Sequence, residues 1–188
     1  IEASSEALKK AMSLVREGLE ARDIGIEVNN VISRYGFSPI RNLFGHEIKQ
    51  YNLHAGFTIP SYDNNSRNKF SDGIYAIEPF ASTGEGLIKE GKPAELYMLL
   101  AKKPVRDANA RKILDFISQE YRTLPFAARW LHKKFGSITQ FALRQLVSEG
   151  ILYEYAQLPE KSGGIVSQAE HTIRIKEGEV RVVTKEED

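Results

Sequence analysis

The sequence predicts an α+β fold in a chain of 188 residues. Three observations favour this class: two amphipathic helical patterns open the chain, strand patterns follow up to about residue 103, and a mostly helical stretch precedes two closing strands. Helices and strands are therefore grouped rather than alternating, which is typical of α+β domains. A chain of this length buries roughly 70% of the surface that it exposes when unfolded, so a substantial core is expected.

Composition narrows the classes of function. The 26 Lys and Arg residues nearly balance the 25 Asp and Glu residues, so no overall field favours nucleic acid or a membrane surface. Cysteine is absent, which excludes disulfides and thiolate metal ligands and fits a cytoplasmic protein. Since no apolar run approaches the ~20 residues of a membrane span, no membrane partner is expected.

The first two elements are predicted to be helices over 4–21 and 24–35. Apolar residues recur in the first at three- and four-residue steps, as Leu8, Met12, Val15 and Leu19. Ser4 or Ser5 is the candidate cap of the first helix, and Gly36 is the predicted end of the second.

A predicted strand, Gly73–Glu78, follows a polar connection over 62–73. On this strand Glu78 shares a face with apolar residues, namely Ile74, Ala76 and Phe80. Burying an unpaired carboxylate is costly, so Glu78 needs either a site or a buried ion pair with Arg or Lys. A further strand is predicted over 95–103.

The remainder is predicted to be helical over 104–160 and then to form strands. Ser137 is expected to begin a helix as the first residue of a capping box, and this helix is expected to end at Gly150. Two strands, 165–175 and 179–184, are expected to be joined by a turn at Glu177–Gly178.

Four side chains carry the chemistry of the sequence: His46, His54, Glu78 and Glu170. One imidazole and two carboxylates suit a divalent-metal site with nitrogen and oxygen ligands. Carboxylates can also bridge two cations ~3.5–4 Å apart. A second imidazole could handle a proton or a developing charge.

Each of these residues also has an ordinary interpretation. A histidine in a loop is more often a surface residue than a ligand, and Glu170 could form a solvated polar face with Arg174. His171 alternates with Ala169 and Ile173, so we expect it to point away from Glu170. Two metal ions also need more anionic ligands than two glutamates supply. Five of the Asp residues are not well placed for this role: Asp63, Asp72, Asp107, Asp115 and Asp188.

Four ordered motifs resemble those of type II methionine aminopeptidases in their archaeal form. They are Gly45–Gly56, Tyr75–Gly84, Thr123–Leu131 and Gln168–Ile173. The resemblance implies a pita-bread fold. Its catalytic portion would comprise 1–103 and 161–188, and residues 104–160 would form the winged-helix-like insertion of the type II enzymes.

By this resemblance the site holds two divalent ions, with Co, Mn, Fe or Zn as candidates. His46, Glu78 and Glu170 match three of the five family ligands, and Glu170 matches the bridging one. His54 matches the catalytic imidazole, and Glu78 also matches the proton-shuttling carboxylate. The two Asp ligands of the family are not in this sequence, so we expect it to be the carboxy-terminal part of the enzyme. An amino-terminal fragment would supply both.

The implied activity is hydrolytic removal of the initiator methionine. Nascent peptides beginning with Met would be the substrates, and the ribosome is a further expected partner. Besides His54, the positions that match the methionine pocket are Leu53, Leu96, Pro125 and Tyr155.

Two other interpretations stay open. The chain could be a ligand-depleted pita-bread relative that binds RNA or the ribosome, because 107–158 resembles a winged-helix module with local positive charge. Against this, all three ligand positions and His54 are present. A proline-specific dipeptidase of the same fold is the other alternative, and the Thr123–Leu131 motif argues against it.

Overall fold

Helices and strands occur in blocks along the chain, which confirms the predicted α+β class. The computed structural model describes residues 1–184. In chain order the elements are α1 (Glu2–Leu14), α2 (Ala21–Arg34), β1 (Ser38–Pro39), β2 (Gly45–Ile48), β3 (Thr58–Ile59), β4 (Gly73–Ile77), β5 (Phe80–Ser82), β6 (Pro93–Leu99), α3 (Ala108–Glu120), β7 (Phe126–Ala127), α4 (Ala128–Phe135), α5 (Ile138–Ser148), β8 (Leu152–Ala156), β9 (Val166–Gln168), β10 (His171–Lys176) and β11 (Glu179–Val182). None of the helices within 1–184 is long and apolar enough to cross a membrane.

The chain divides into two compact units, the first made of Ile1–Lys89 with the segment that starts at Pro159, and the second of Glu90–Leu158. In the first unit, an antiparallel sheet with strand order β11-β10-β4-β2-β3 carries α1 and α2 on one face. Tyr75 and Ile77 of β4 point into the core that these helices cover. Ile74, Ala76 and Glu78 lie on the opposite face, where Ala76 is buried and Ile74 is 41% exposed.

Helix α1 is shorter than predicted. It ends at Leu14 rather than at residue 21, because Val15 is extended and Gly18 adopts a positive φ of 80°. Val15 and Leu19 nevertheless bury their side chains. The apolar period thus continues beyond the end of the helix.

The predicted cap of α1 is wrong, and the predicted cap of α5 is right in position only. Ser4 and Ser5 lie inside α1, and the Ser4 hydroxyl donates to the carbonyl oxygen of Ile1 at 2.8 Å. Ser137 precedes α5, but its side chain makes no capping hydrogen bond. A carboxylate caps α3 instead, since Asp107 accepts a hydrogen bond from the N–H of Ala110.

The predicted strand 165–175 is two strands in different sheets. β9 pairs with β5 and β10 pairs with β4, and the break falls at Ala169–Glu170. The predicted hairpin between β10 and β11 is confirmed, because Glu177 and Gly178 both adopt positive φ and Lys176 lies opposite Glu179.

The second unit has its own core. Its sheet, with strand order β7-β6-β8, packs with α3, α4 and α5 around buried residues that include Tyr97, Ile113, Leu131 and Leu143. Strand β6 ends at Leu99, earlier than the predicted 103. This unit also contains β6, which the family resemblance places in the catalytic portion. The boundaries of the predicted insertion, 104–160, stay a prediction.

Gly25 in α2 offers a test of this packing. Replacing a helical glycine by alanine normally stabilises a helix by about 1 kcal/mol. Here the added Cβ would overlap the backbone carbonyl of Tyr62. We therefore expect Gly25→Ala to destabilise the chain by about 1–3 kcal/mol in urea unfolding. The control Asn30→Ala, at an exposed position of the same helix, should change stability little. Equal or higher stability of Gly25→Ala would contradict the packing described.

Candidate metal site

The register of the five-stranded sheet brings the three predicted ligands together. His46 in β2 lies directly opposite Ala76 in β4, and Ala76 lies opposite Thr172 in β10. Opposed residues in an antiparallel sheet share a face, and two-residue steps along a strand keep it. Glu78, two residues after Ala76, and Glu170, two residues before Thr172, therefore emerge on the side of His46.

Direct contacts join these side chains. His46 Nε2 lies 3.1 Å from Glu78 Oε1, and the two side chains are only 12% and 13% exposed. The Gln168 amide donates to Glu78 Oε2 at 2.9 Å and to Glu170 Oε2 at 3.3 Å. Glu78 thus pairs with a histidine rather than with the Arg or Lys of the alternative interpretation. Glu170 contacts Gln168 rather than Arg174.

Gln168 is the residue of the site that sequence reasoning missed. Its amide nitrogen is shared by two carboxylates, so it offsets part of their mutual repulsion. A signal was present, because residues two positions apart share a face of a strand, and Gln168 and Glu170 both lie in the strand predicted over 165–175. A partner for the amide could not be assigned, since the pairing of β9 with β5 is invisible in sequence.

A tight loop after β2 places the His54 side chain next to that of His46. Tyr51 adopts a positive φ of 57°, and Lys49 and Asn52 exchange backbone hydrogen bonds across the turn. The N–H of Ala55 donates to the Glu47 carbonyl at 2.9 Å. The rings of His46 and His54 consequently meet edge to face, with centroids 4.3 Å apart.

The environment shifts the pKa values of the two imidazoles in opposite directions. The pKa of His46 is raised, chiefly by its hydrogen bond to Glu78, although burial opposes this. The pKa of His54 is lowered, first by loss of hydration and then by the positive charge of His46. The pKa of Glu170 is raised by burial and by the charge of Glu78. One imidazole therefore favours the charged form, and its neighbour favours the neutral form.

His171 behaves as predicted. It lies opposite Ile77, on the helix-covered face of the sheet, and its Nδ1 lies 3.0 Å from the Thr184 hydroxyl. This face is opposite to that of His46, so His171 is separated from the candidate ligands.

The Asp residues judged poorly placed are engaged elsewhere. Their contacts are Asp63 with Arg22 at 2.8 Å, Asp72 with the N–H of Glu177 at 3.0 Å, Asp107 with the N–H of Ala110 at 2.8 Å, and Asp115 with Lys102 at 3.1 Å. Asp188 lies outside the described residues. None of the four described side chains joins His46.

The donor types fit a divalent metal, but the donor number is too small. Within residues 1–184, no group of three or more histidine and carboxylate side chains is arranged to hold an ion. His46, Glu78 and Glu170 satisfy one another directly or through Gln168 instead. Two glutamates contribute two negative charges, whereas two divalent ions carry four positive ones. The role of these three residues as ligands stays a prediction.

Two predicted pocket residues share one face of the second unit's sheet. Leu96 is 42% exposed on β6, and the Tyr155 hydroxyl on β8 donates to the sulfur of Met98 at 3.4 Å. Tyr97 points to the opposite, core face. Pro125 immediately precedes β7, and Leu53 belongs to the first unit. Their contact with substrate stays a prediction.

Comparison with known proteins identifies relatives of nearly the whole chain. A family model described as metallopeptidase family M24 matches residues 1–177. The methionine aminopeptidase of Pyrococcus horikoshii is 44% identical over 189 residues, which cover 98% of this chain and 64% of that protein. The chain thus spans slightly less than two thirds of that relative's length.

Solved structures show the fold. A thermophilic Arx1 superposes with a TM-score of 0.74 at 16% identity, covering 96% of this chain and 54% of that one. The methionine aminopeptidase of Rickettsia prowazekii superposes with a TM-score of 0.60 at 16% identity, covering 98% and 51%. Together with the family match, these structures confirm the predicted pita-bread fold.

The two imidazoles should titrate in opposite directions in metal-free protein. Nitrogen-detected NMR titration should place the pKa of His46 above its ordinary value of 6.5 and that of His54 below it. The His46–Glu78 pair then stabilises the fold below pH 6.5, and this stabilisation is lost as the pH rises through the raised pKa. Glu78→Gln should lower the pKa of His46.

The control for this titration is Glu47→Gln. Glu47 is adjacent to His46, but its side chain lies on the other face and pairs with Lys49 at 3.0 Å. It should leave the pKa of His46 nearly unchanged. An unshifted His46 in Glu78→Gln would contradict the geometry of the pair.

Proposed function

Because the chain belongs to metallopeptidase family M24, we propose that it is part of a metal-dependent aminopeptidase that removes the initiator methionine from nascent proteins. The observation that carries this proposal is the convergence of His46, Glu78 and Glu170 at one end of the sheet. The curated methionine aminopeptidases that share about two fifths of its residues support the substrate. The type II archaeal form is part of the proposal.

We infer that His46, Glu78 and Glu170 would be ligands of two divalent ions, and that the further negative charge these ions need would come from outside this sequence. Two Asp carboxylates from an amino-terminal segment would bring the anionic charge to four. The relatives are longer than this chain, which leaves room for such a segment. Activity would therefore depend on that segment.

Divalent ions, when bound, supply Lewis acidity and bring the pKa of a water molecule near neutrality. Residues of this chain would bind the scissile carbonyl and transfer the proton. His54 stays neutral near pH 7 because its pKa is lowered, so one ring nitrogen can donate a hydrogen bond to the oxygen of the scissile carbonyl. A Glu78 oxygen would accept a proton from the attacking water and pass it to the leaving amine.

Methionine recognition needs apolar surface. Leu96 and Tyr155, on the exposed face of the second unit's sheet, are the side chains that we propose to contact the substrate. The same role for Leu53 and Pro125, ribosome contact and a cytoplasmic location stay predictions from the sequence. The RNA-binding alternative also stays a prediction, and the assay below distinguishes it from the peptidase.

The proposal predicts complementation. The region of the Pyrococcus horikoshii enzyme outside the matched 64% would be fused to this chain, and methionine release from a Met-Ala peptide would be measured with Mn²⁺, Co²⁺ or Fe²⁺. We expect release by the fusion and negligible release by the chain alone, because the two glutamates of the chain supply too little negative charge for two divalent ions. A folded fusion that is inactive with all three saturating metals would contradict the peptidase function.

Glu170→Gln tests the bridging carboxylate in the active fusion. A neutral amide cannot bridge two cations, so kcat/KM should fall by more than about a hundredfold. The matched control is Glu179→Gln, an exposed carboxylate on β11 that should leave the rate within about twofold. Full activity of Glu170→Gln would show that the ligand assignment is wrong.

A further inference from the structure

Glu160 is a buried carboxylate that the proposed chemistry does not use. It is 4% exposed and receives hydrogen bonds from two loops that contain glycines. Oε2 accepts from the Ser162 N–H at 2.8 Å, from the Ser162 hydroxyl at 2.7 Å and from the Gly164 N–H at 2.9 Å. Oε1 accepts from the Gly86 N–H at 3.2 Å. These four neutral donors offset the cost of burying the charge.

The space around this carboxylate is closed by glycines. A Cβ on Gly84 would overlap the Glu160 carboxyl group, and a Cβ on Gly164 would overlap the backbone of Gly84. The Ser162 hydrogen bond is the largest influence that lowers the pKa of Glu160 to about 2. The carboxylate therefore fastens the two loops to each other in its ionised form.

The strands β5 and β9 lead from these loops to the candidate site, within a three-stranded sheet of order β1-β5-β9. We call residues 79–83 and 165–169 the β5–β9 ribbon. Next to the loops, Thr83 and Ile165 exchange two hydrogen bonds at 3.0 and 2.9 Å. At the other end Phe80 lies opposite Gln168, and the Ala169 N–H donates to the Pro79 carbonyl at 3.3 Å.

Glu78 and Glu170 are the residues that immediately flank the far end of the ribbon. Glu78 precedes Pro79, and Glu170 follows Ala169. Because the side chains of a strand alternate between faces, a slip of one residue between β5 and β9 would turn the Gln168 amide away from both carboxylates. The register of the ribbon therefore decides whether the Gln168 amide reaches both carboxylates.

We propose that Glu160 is a positioning residue: its carboxylate anchors the near end of the β5–β9 ribbon and so holds Gln168, Glu78 and Glu170 in their mutual arrangement. The benefit to metal binding rests on the proposed function. The positioning itself does not, and it can be tested on this chain without metal or substrate.

The test compares Glu160→Gln with Glu85→Gln. In Glu160→Gln, the new side-chain amide would direct its own N–H groups at the N–H donors of the loops. Glu85 is a neighbouring surface carboxylate whose side chain lies 3.6 Å from Lys161. Both variants lose one negative charge in the same region. The measurements are hydrogen exchange of ribbon amides and the NMR signals of the Gln168 side-chain amide.

We expect Glu160→Gln to speed exchange of the 80–82 and 166–168 amides by about tenfold or more, with little change at 73–77 and 171–176. The Gln168 amide signals should move towards those of a solvated side chain. Glu85→Gln should change neither. Unchanged Gln168 signals, or a loss of protection that is uniform over the first unit, would overturn the proposal.

Ser162→Ala covers the case in which Glu160→Gln does not fold. This variant removes the hydroxyl bond to Oε2 and the bond that the same hydroxyl accepts from the Glu85 N–H at 3.2 Å, and it keeps the three backbone donors to Glu160. It should produce the same local pattern at smaller amplitude, and ribbon protection equal to that of the parent chain would overturn the proposal. Because neither readout uses metal or peptide, failure here leaves the complementation result unaffected.

Discussion

The antiparallel register of β4 with β2 and β10 is the constraint on which the candidate site depends. Ala76 stands opposite both His46 and Thr172, and from this fixed point the two glutamates follow by two-residue steps. Slipping either neighbour by one residue would send an imidazole or a carboxylate into the core beneath α1 and α2. The apolar residues of that core, such as Tyr75 and Ile173, therefore hold the polar face in register.

Charge is the second constraint. The site places two carboxylates close together. Burial and then the charge of Glu78 raise the pKa of Glu170, and His46 and the Gln168 amide offset part of the repulsion between the carboxylates. A cation placed between two carboxylates would favour their ionised forms. This arrangement also explains why the same side chains that suit a metal contact one another when other donors are missing.

Local sequence predicted much of the fold and less of the site. Helix α2, the β10–β11 turn and the strand before Glu78 follow from short-range patterns. The end of α1 does not, because Leu19 is buried outside the helix and keeps the helical spacing. Glu170 was expected inside a strand, whereas it lies at the break where the chain passes from β9 to β10. That break depends on pairing with distant strands and leaves no local signal. The two-residue spacing of Gln168 and Glu170 is a local signal, but it does not show which side chains the amide contacts, because this depends on the pairing of β9 with β5.

The two ends of the segment 90–158 are joined to each other by backbone hydrogen bonds. Gly91 donates to the carbonyl of Gln157, and Gln157 donates in return to that of Lys92, while Lys89 donates to Pro159 just outside. The flanking ends are thus neighbours, and a short turn would suffice to join them. A segment with its own core and adjacent ends can be inserted, removed or replaced as a unit during evolution. The sheet that carries the candidate ligands would keep its strand pairing in each case.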